Sequence, residues 1–186
     1  MREGRIIIVS APSGAGKNTI LNRLLQAMPE LALSVSLTTR APRAGEIEGV
    51  SYHFVTTEEF EAYEARGEFL ECNPYAQRRY GTLRAPVERA IAEGRDILLE
   101  IEVKGARDVR RQYPGSLSIF IAPPDFALLR ERLTARDTNT ADEIEERLVI
   151  GEAEMRAAVE FDYIVVNDDL ETAVARVTEI IRSTKK

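Results

Sequence analysis

Residues 11–17 read Ala11-Pro12-Ser13-Gly14-Ala15-Gly16-Lys17, directly after an apolar run, Ile6-Ile7-Ile8-Val9, and directly before a helical pattern from Thr19 to Met28. A β-branched apolar run bounded by polar residues reads as a strand buried on both faces, as in a parallel sheet. In the following segment Ile20, Leu24 and Leu25 recur at helical spacing, and Pro29 ends the pattern. Between the two, the glycines let the backbone bend so that successive N–H groups point inward. The helix N-terminus adds positive potential, and Lys17 can reach across a pair of phosphates. A tight turn with a solvated lysine is the bland alternative, but the flanking strand and helix favour a phosphate cradle.

The alternation continues along the chain. Asp96–Ile101, Ser116–Ile121 and Tyr163–Val166 are expected strands, and Ala85–Glu93, Val103–Arg111 and a segment from about Leu170 are expected helices. Strand and helix in alternation predict an α/β fold of three layers, a parallel sheet covered on both faces. Two stretches break the rhythm. Residues 34–83 carry short alternating segments (Ser34-Val35-Ser36, Val50 to Val55, Phe69-Leu70-Glu71) among Pro42, Gly45 and Gly49, and predict a small β-rich lobe. Residues from Pro123-Pro124-Asp125 to about Arg136 predict a helix. After the polar hinge Asp137-Thr138-Asn139, Thr140-Ala141-Asp142-Glu143 is a capping box for a second helix with Ile144, Leu148 and Met155 on one stripe.

Composition excludes several function classes. At 186 residues the chain makes one domain with inserted lobes. With 44% apolar and 30% charged residues and no apolar run near the roughly 20 residues that cross a bilayer, a soluble protein is expected. The opening Met1-Arg2-Glu3-Gly4 leaves no room for a secretory signal, so a cytoplasmic location is expected. One cysteine, Cys72, and one histidine, His53, rule out an internal disulfide and an ordinary zinc site. A net charge of −6 argues against a general nucleic-acid binder. His53, between Tyr52 and Phe54, reads as a lobe side chain, Cys72 as a packed thiol, and Leu24, Leu25 and Met28 as core; Glu58, Glu59, Glu61 and Glu64 mark the solvated face of a helix.

The segment Ser34-Val35-Ser36-Leu37-Thr38-Thr39-Arg40-Ala41-Pro42-Arg43-Ala44-Gly45-Glu46 closely resembles the signature of guanylate kinases. So do Gly49-Val50-Ser51-Tyr52-His53-Phe54-Val55, Gly67-Glu68-Phe69-Leu70-Glu71, Tyr80-Gly81-Thr82, Leu98-Leu99-Glu100-Ile101-Glu102-Val103 and Val166-Asn167-Asp168-Asp169, in family order over nearly the whole chain. The resemblance implies one domain of a P-loop core (1–33, 86–124, 158–186), a GMP-binding lobe (34–85) and a helical lid (125–157). The activity implied is transfer of the γ-phosphoryl group of ATP to GMP, and to dGMP. No nucleic-acid or membrane partner is expected, and oligomeric state is not legible.

Residue by residue, the likeness places ATP on Ala11, Pro12, Ser13, Gly14, Ala15, Gly16, Lys17, Asn18 and Thr19, with Asn167 near the ATP base. It gives the GMP phosphate to Arg40 and Arg43, with Glu46 in the same signature and the hydroxyls of Tyr52 and Tyr80. A dianionic phosphate suits permanently charged forked guanidiniums, and phenols add donors without charge. Ser36, Glu71 and Thr82 would read the base. Guanine offers N1–H and the 2-amino group side by side to one carboxylate, whereas adenine presents a bare N1 acceptor. Leaving a buried carboxylate unpaired costs several kcal/mol, so AMP is expected to be rejected. Glu100 and Glu102 resemble family carboxylates near the guanine and the metal-bound water.

Lys17 with the lid arginines Arg132, Arg136 and Arg147 would compensate the charge of the transferred group, and a GMP phosphate oxygen needs no dedicated base. Mg²⁺ is the expected cofactor, held mainly by phosphate oxygens and water, with Asn18 a candidate ligand where a serine or threonine hydroxyl is usual and Glu102 a candidate through water. The chain departs from the family pattern at Asn18, at Cys72-Asn73-Pro74-Tyr75-Ala76-Gln77-Arg78-Arg79, and at Asp137 where glycine is usual. Two alternatives stand beside this reading: a non-catalytic guanylate-kinase-like protein-binding module, and a kinase of the same architecture with another acceptor.

Overall fold

The structure, a computed structural model, describes residues 3–75, 78–134 and 141–184. In chain order the first elements are β1 (Ile6–Ser10), α1 (Lys17–Ala27), β2 (Ala32–Leu33), β3 (Leu37–Thr38), β4 (His53–Phe54) and α2 (Thr57–Ala65). Next come β5 (Phe69–Tyr75), β6 (Arg78–Leu83), α3 (Arg84–Ala92), β7 (Ile97–Glu100), α4 (Val103–Gln112) and β8 (Leu117–Ala122). The last are α5 (Phe126–Thr134), α6 (Ala141–Ala157), β9 (Tyr163–Val166) and α7 (Leu170–Ser183), with a 3-10 turn at Ala158–Glu160. No helix among the described residues is long and apolar enough to cross a membrane.

The chain forms two compact units, Met1–Ile6 with Glu30–Ser116, and Ile7–Pro29 with Leu117–Lys186. In the second, β1 pairs with β8 and β8 with β9, all parallel, with Val9 opposite Ile119 and Ile121 opposite Val165. Ile7, Ile8, Val9, Ile119, Phe120 and Ile121 are fully buried, which is why these strands read as unbroken apolar runs. Helix α7 begins at Asp169, whose carboxylate accepts the Thr172 N–H at 2.8 Å, and buries Ala173, Val177, Ile180 and Ile181 at helical spacing. In α1 the buried stripe is Ile20, Leu21 and Leu24; Leu25, expected in the core, is half-buried because it lies about 100° around the helix from Leu24.

In the first unit β2 runs parallel to β7, and a second sheet has the order β4-β3-β6-β5. Its β3–β4 pair is parallel, while β3–β6 and β5–β6 are antiparallel. The expected strand at Ser34–Ser36 is instead a hand-over: the Ser34 N–H donates to the Leu98 carbonyl at 3.0 Å, and the Ser36 carbonyl accepts from the His53 N–H at 2.9 Å. The segment changes partner there, so the regular pairs fall on either side, at β2 and β3. The strand expected over Val50–Val55 shrinks to His53–Phe54, because Gly49 takes φ +72° and hydrogen bonds from Ser51 to Ile47 and from Gly49 to Tyr52 close turns.

Helix α2 opens with a reciprocal capping box between Thr56 and Glu59 and buries Phe60 against Leu37 and Phe69. Strand β6, Arg-Arg-Tyr-Gly-Thr-Leu, has no apolar alternation and exists by pairing on both sides. Its Gly81 is required: a Cβ there would lie 2.6 Å from the Phe69 ring.

Candidate active site

The second unit carries the glycine loop at residues 11–17. Gly14 and Gly16 have φ of +96° and +87°, values that favour glycine, and Gly16 is the residue from which α1 starts. The loop is drawn tight by the Ala15 N–H donating to the Pro12 carbonyl at 3.1 Å. It is held from behind by Asn167, a buried residue beyond β9 whose Nδ2 donates to the Ala15 carbonyl at 2.7 Å. The carboxamide placed near the ATP base by resemblance therefore spends a donor on the shape of the loop. Ala11, Pro12 and Ala15 are buried, Ser13 and Lys17 half-buried, and Asn18 and Thr19 exposed on the first turn of α1. A cradle of backbone donors with one ammonium at a helix start suits the triphosphate of a nucleotide.

Helices α5 and α6 pack through Leu129, Leu148 and Ile144, and Arg130 pairs with Glu145 across them at 2.8 Å. Gly151 of α6 lies against the loop, where a Cβ would stand 3.6 Å from Pro12 Cβ and 3.1 Å from Leu129 Cδ2. One turn on, Glu154 is buried, 7% exposed, and its Oε2 has no hydrogen-bond partner among the described residues. Burial pushes its carboxyl up to about 7, with the Lys17 ammonium pulling the other way. No sequence signal distinguished Glu154 from its solvated neighbours beside the Ile144, Leu148, Met155 stripe. Arg147 is half-buried on α6. Arg136, Asp137 and Thr140, and the side chain of Arg132, lie outside the described residues.

The first unit carries a second group of polar side chains. The Arg40 guanidinium is forked onto Glu46, NH1 to Oε2 at 2.9 Å and NH2 to Oε1 at 2.7 Å, and its Nε donates to the Tyr80 hydroxyl at 3.3 Å. It also lies 5.4 Å from the Tyr52 ring centre, and the Tyr52 and Tyr80 rings meet edge-on at 5.9 Å. The hydrogen bonds to Glu46 hold Arg40 charged, and those from Arg40 hold Glu46 below the usual carboxylate range. Glu46 also accepts the backbone N–H of Arg43 at 2.7 Å, so it shapes the Arg40–Glu46 turn, while the Arg43 side chain is exposed. Burial, then the nearby Glu100 carboxylate, raises Tyr52, which keeps its hydroxyl protonated as a donor. A guanidinium beside phenol donors suits a phosphate dianion.

Beside them, Glu71 is 8% exposed on β5. Its Oε1 accepts from Thr82 Oγ1 at 2.7 Å and its Oε2 from Asn73 Nδ2 at 3.1 Å. Burial raises this carboxyl, and the two hydrogen bonds oppose that rise. In the ladder Thr82 stands opposite Glu71 and Tyr80 opposite Asn73, so all four side chains share one sheet face. Gly105 on α4 leaves the room: a Cβ there would lie 2.5 Å from Glu71 Oε2. A glycine inside a helical pattern is a signal for such close packing, and sequence reasoning passed it over. Ser36 and Glu100 are half-buried, Ser36 at the partner switch and Glu100 at the end of β7. Glu102, also half-buried, precedes α4. His53 pairs with Glu48 at 3.0 Å, and Cys72 is a half-buried thiol pushed up to about 11 by burial.

Comparison with known proteins identifies the family. The guanylate kinase family profile matches residues 3–184. The chain is similar to a guanylate kinase of Synechocystis sp., 46% identical over 179 residues covering 96% of this chain and 94% of that one. It is likewise similar to one from Rubrobacter xylanophilus, 47% identical over 182 residues, 98% and 95% of the two chains. The crystal structure of guanylate kinase from Anaplasma phagocytophilum superposes with a TM-score of 0.83 at 33% identity, covering 98% of this chain and 87% of that one.

Proposed function

The chain belongs to the guanylate kinase family and phosphorylates GMP to GDP at the expense of ATP; we propose that it divides the work between the residue sets described above. On the ATP side, the 11–17 loop binds the triphosphate through backbone N–H groups, and Lys17 compensates charge on the transferred group together with Arg132, Arg136 and Arg147. On the GMP side, Arg40 and Arg43 bind the phosphate with the hydroxyls of Tyr52 and Tyr80, while Ser36, Glu71, Thr82 and Glu100 receive the base. The GMP phosphate oxygen attacks without a protein base, and catalysis consists of placement and charge compensation.

Mg²⁺ accompanies ATP in this proposal. The described residues contain no cluster of three His, Cys, Asp or Glu side chains able to hold an ion, and Asn18 is an exposed carboxamide. That donor set fits an ion bound chiefly by phosphate oxygens and water, with Asn18 and, through water, Glu102 as protein contributors. When bound, it would neutralise charge on the β- and γ-phosphates.

The observation that carries the acceptor assignment is Glu71, a buried carboxylate with both oxygens oriented by neutral donors. Two adjacent acceptors match the N1–H and 2-amino donors of guanine, which dGMP shares. Rates with GMP, dGMP, AMP and UMP test it: GMP and dGMP should be used, AMP and UMP at least about a thousandfold less well, on the scale of an unpaired buried polar group. Efficient use of AMP would overturn the base assignment.

A further inference from the structure

Asn73 is one of the residues at which this chain departs from the family pattern, and the structure turns it inward. It is 7% exposed, two residues after Glu71 on the same face of β5. Its Nδ2 lies 3.1 Å from Glu71 Oε2 and 3.4 Å from Asp108 Oδ2 of α4. The carboxamide thus stands between two carboxylates and gives each a hydrogen. We propose that Asn73 is a positioning residue for guanine selection, fixing the Glu71 carboxylate in one orientation. This rests on the assignment of Glu71 as the group that reads the base.

The chemistry explains the residue type. Each carboxylate oxygen has two acceptor sites. Oε1 accepts from Thr82 Oγ1 and Oε2 from Asn73 Nδ2, so each oxygen is held by its own neutral donor. Gly105 bounds Oε2 from the α4 side, so the carboxylate cannot rotate there without meeting backbone. A lysine or arginine at position 73 would pair with Glu71 and compete with the base. An aliphatic side chain would leave burial and the Asp108 charge to drive Glu71 toward its neutral form. A protonated Glu71 would present a donor to guanine N1–H, and recognition would fail. The amide donates without neutralising.

Among the described residues, the charged groups around β5 are themselves engaged. Helix α4 contributes Asp108, paired with Arg111. Strand β6 contributes the uncharged Thr82; its Arg79 pairs with Glu64 of α2, the carboxylate that also accepts from Cys72 Sγ. Helix α3 turns Arg84 to the Phe69 carbonyl and to Gln112.

The test measures kcat/KM for GMP against pH, with IMP as a second acceptor, for wild type and for Asn73→Ala, Asn73→Asp, Asp108→Asn and Glu71→Gln. Asn73→Ala should lower kcat/KM for GMP about tenfold to a hundredfold at neutral pH, the scale of a hydrogen bond to a charged group, with kcat at saturating GMP nearly unchanged. Its acid limb should move to higher pH, and its preference for GMP over IMP should narrow. Asn73→Asp should be worse, and adding Asp108→Asn to Asn73→Ala should recover part of the loss. A merely structural role would lower folded yield without moving the acid limb. An unmoved limb with unchanged GMP-to-IMP preference in a folded Asn73→Ala enzyme overturns the proposal. If Glu71→Gln itself keeps wild-type kcat/KM for GMP, the base assignment fails instead.

Discussion

Gly105 of α4 stands against Glu71 of β5 so closely that a Cβ at position 105 would lie 2.5 Å from Glu71 Oε2 and 3.0 Å from its Cδ. A helix therefore gives up its most favourable residue to admit a carboxylate. Gly105→Ala should raise intrinsic helix stability by up to about 1 kcal/mol yet displace Glu71. We expect kcat/KM for GMP to fall roughly tenfold to a hundredfold with the KM for ATP unchanged, since a misplaced binding group costs on that scale. Wild-type GMP kinetics in a folded Gly105→Ala enzyme would show that Glu71 has room to move without loss.

Lys17 is the ammonium at the start of α1, and the charge compensation proposed for it would act mainly on the transition state. Lys17→Met should lower kcat by a factor on the order of a hundred or more while circular dichroism and Tm stay near wild type. A folded variant with near-normal turnover is the result that would remove Lys17 from the mechanism.

Arg40 owes its orientation to the fork with Glu46. In Glu46→Ala the guanidinium keeps its charge but loses its geometry, so the KM for GMP should rise about tenfold. Arg40→Lys should do at least as much harm, because an ammonium cannot reproduce the fork. Isothermal titration with GMP reads both, and unchanged affinity in Glu46→Ala would mean that Tyr80 and the Ala41 carbonyl suffice to position Arg40.

Glu154 supplies a pH dependence of stability with a definite sign. Its folded pKa, about 7, lies above the ordinary 4.5, so the folded state holds the proton more tightly. The associated stability is complete below about pH 4.5, declines as the pH rises, and is gone above about 7. Glu154→Gln abolishes this titration, so the variant should gain on wild type between pH 5 and pH 8 by up to roughly 3 kcal/mol, from about 1.4 kcal/mol per pKa unit. Urea unfolding at the two pH values measures it, and an equal difference at both would refute the assignment.

The glycine loop at residues 11–17 was legible because its physics is local: a buried strand, glycines able to take positive φ and a helix start all fall within about twenty consecutive residues. The alternation of apolar strands and amphipathic helices was legible for the same reason, and the core strands appear within a residue or two of their expected places. Glu71 shows what chain order leaves open. Counting by twos puts Phe69 and Glu71 on one face of β5, but the ladder slips between them, with Phe69 opposite Leu83 and Glu71 opposite Thr82. The extra residue, Leu70, turns Phe69 onto Phe60 and Leu37 and sends Glu71 to the opposite, polar face. That slip depends on β6, whose residues carry no strand periodicity and become a strand only between β3 and β5. Asn73, Gly105 and Asp108 reach Glu71 in the same way, from positions 2, 34 and 37 residues along the chain. Local pattern names the residue types a site needs, whereas the faces and partners of those residues come from hydrogen bonds and packing between segments that meet only when the chain has folded.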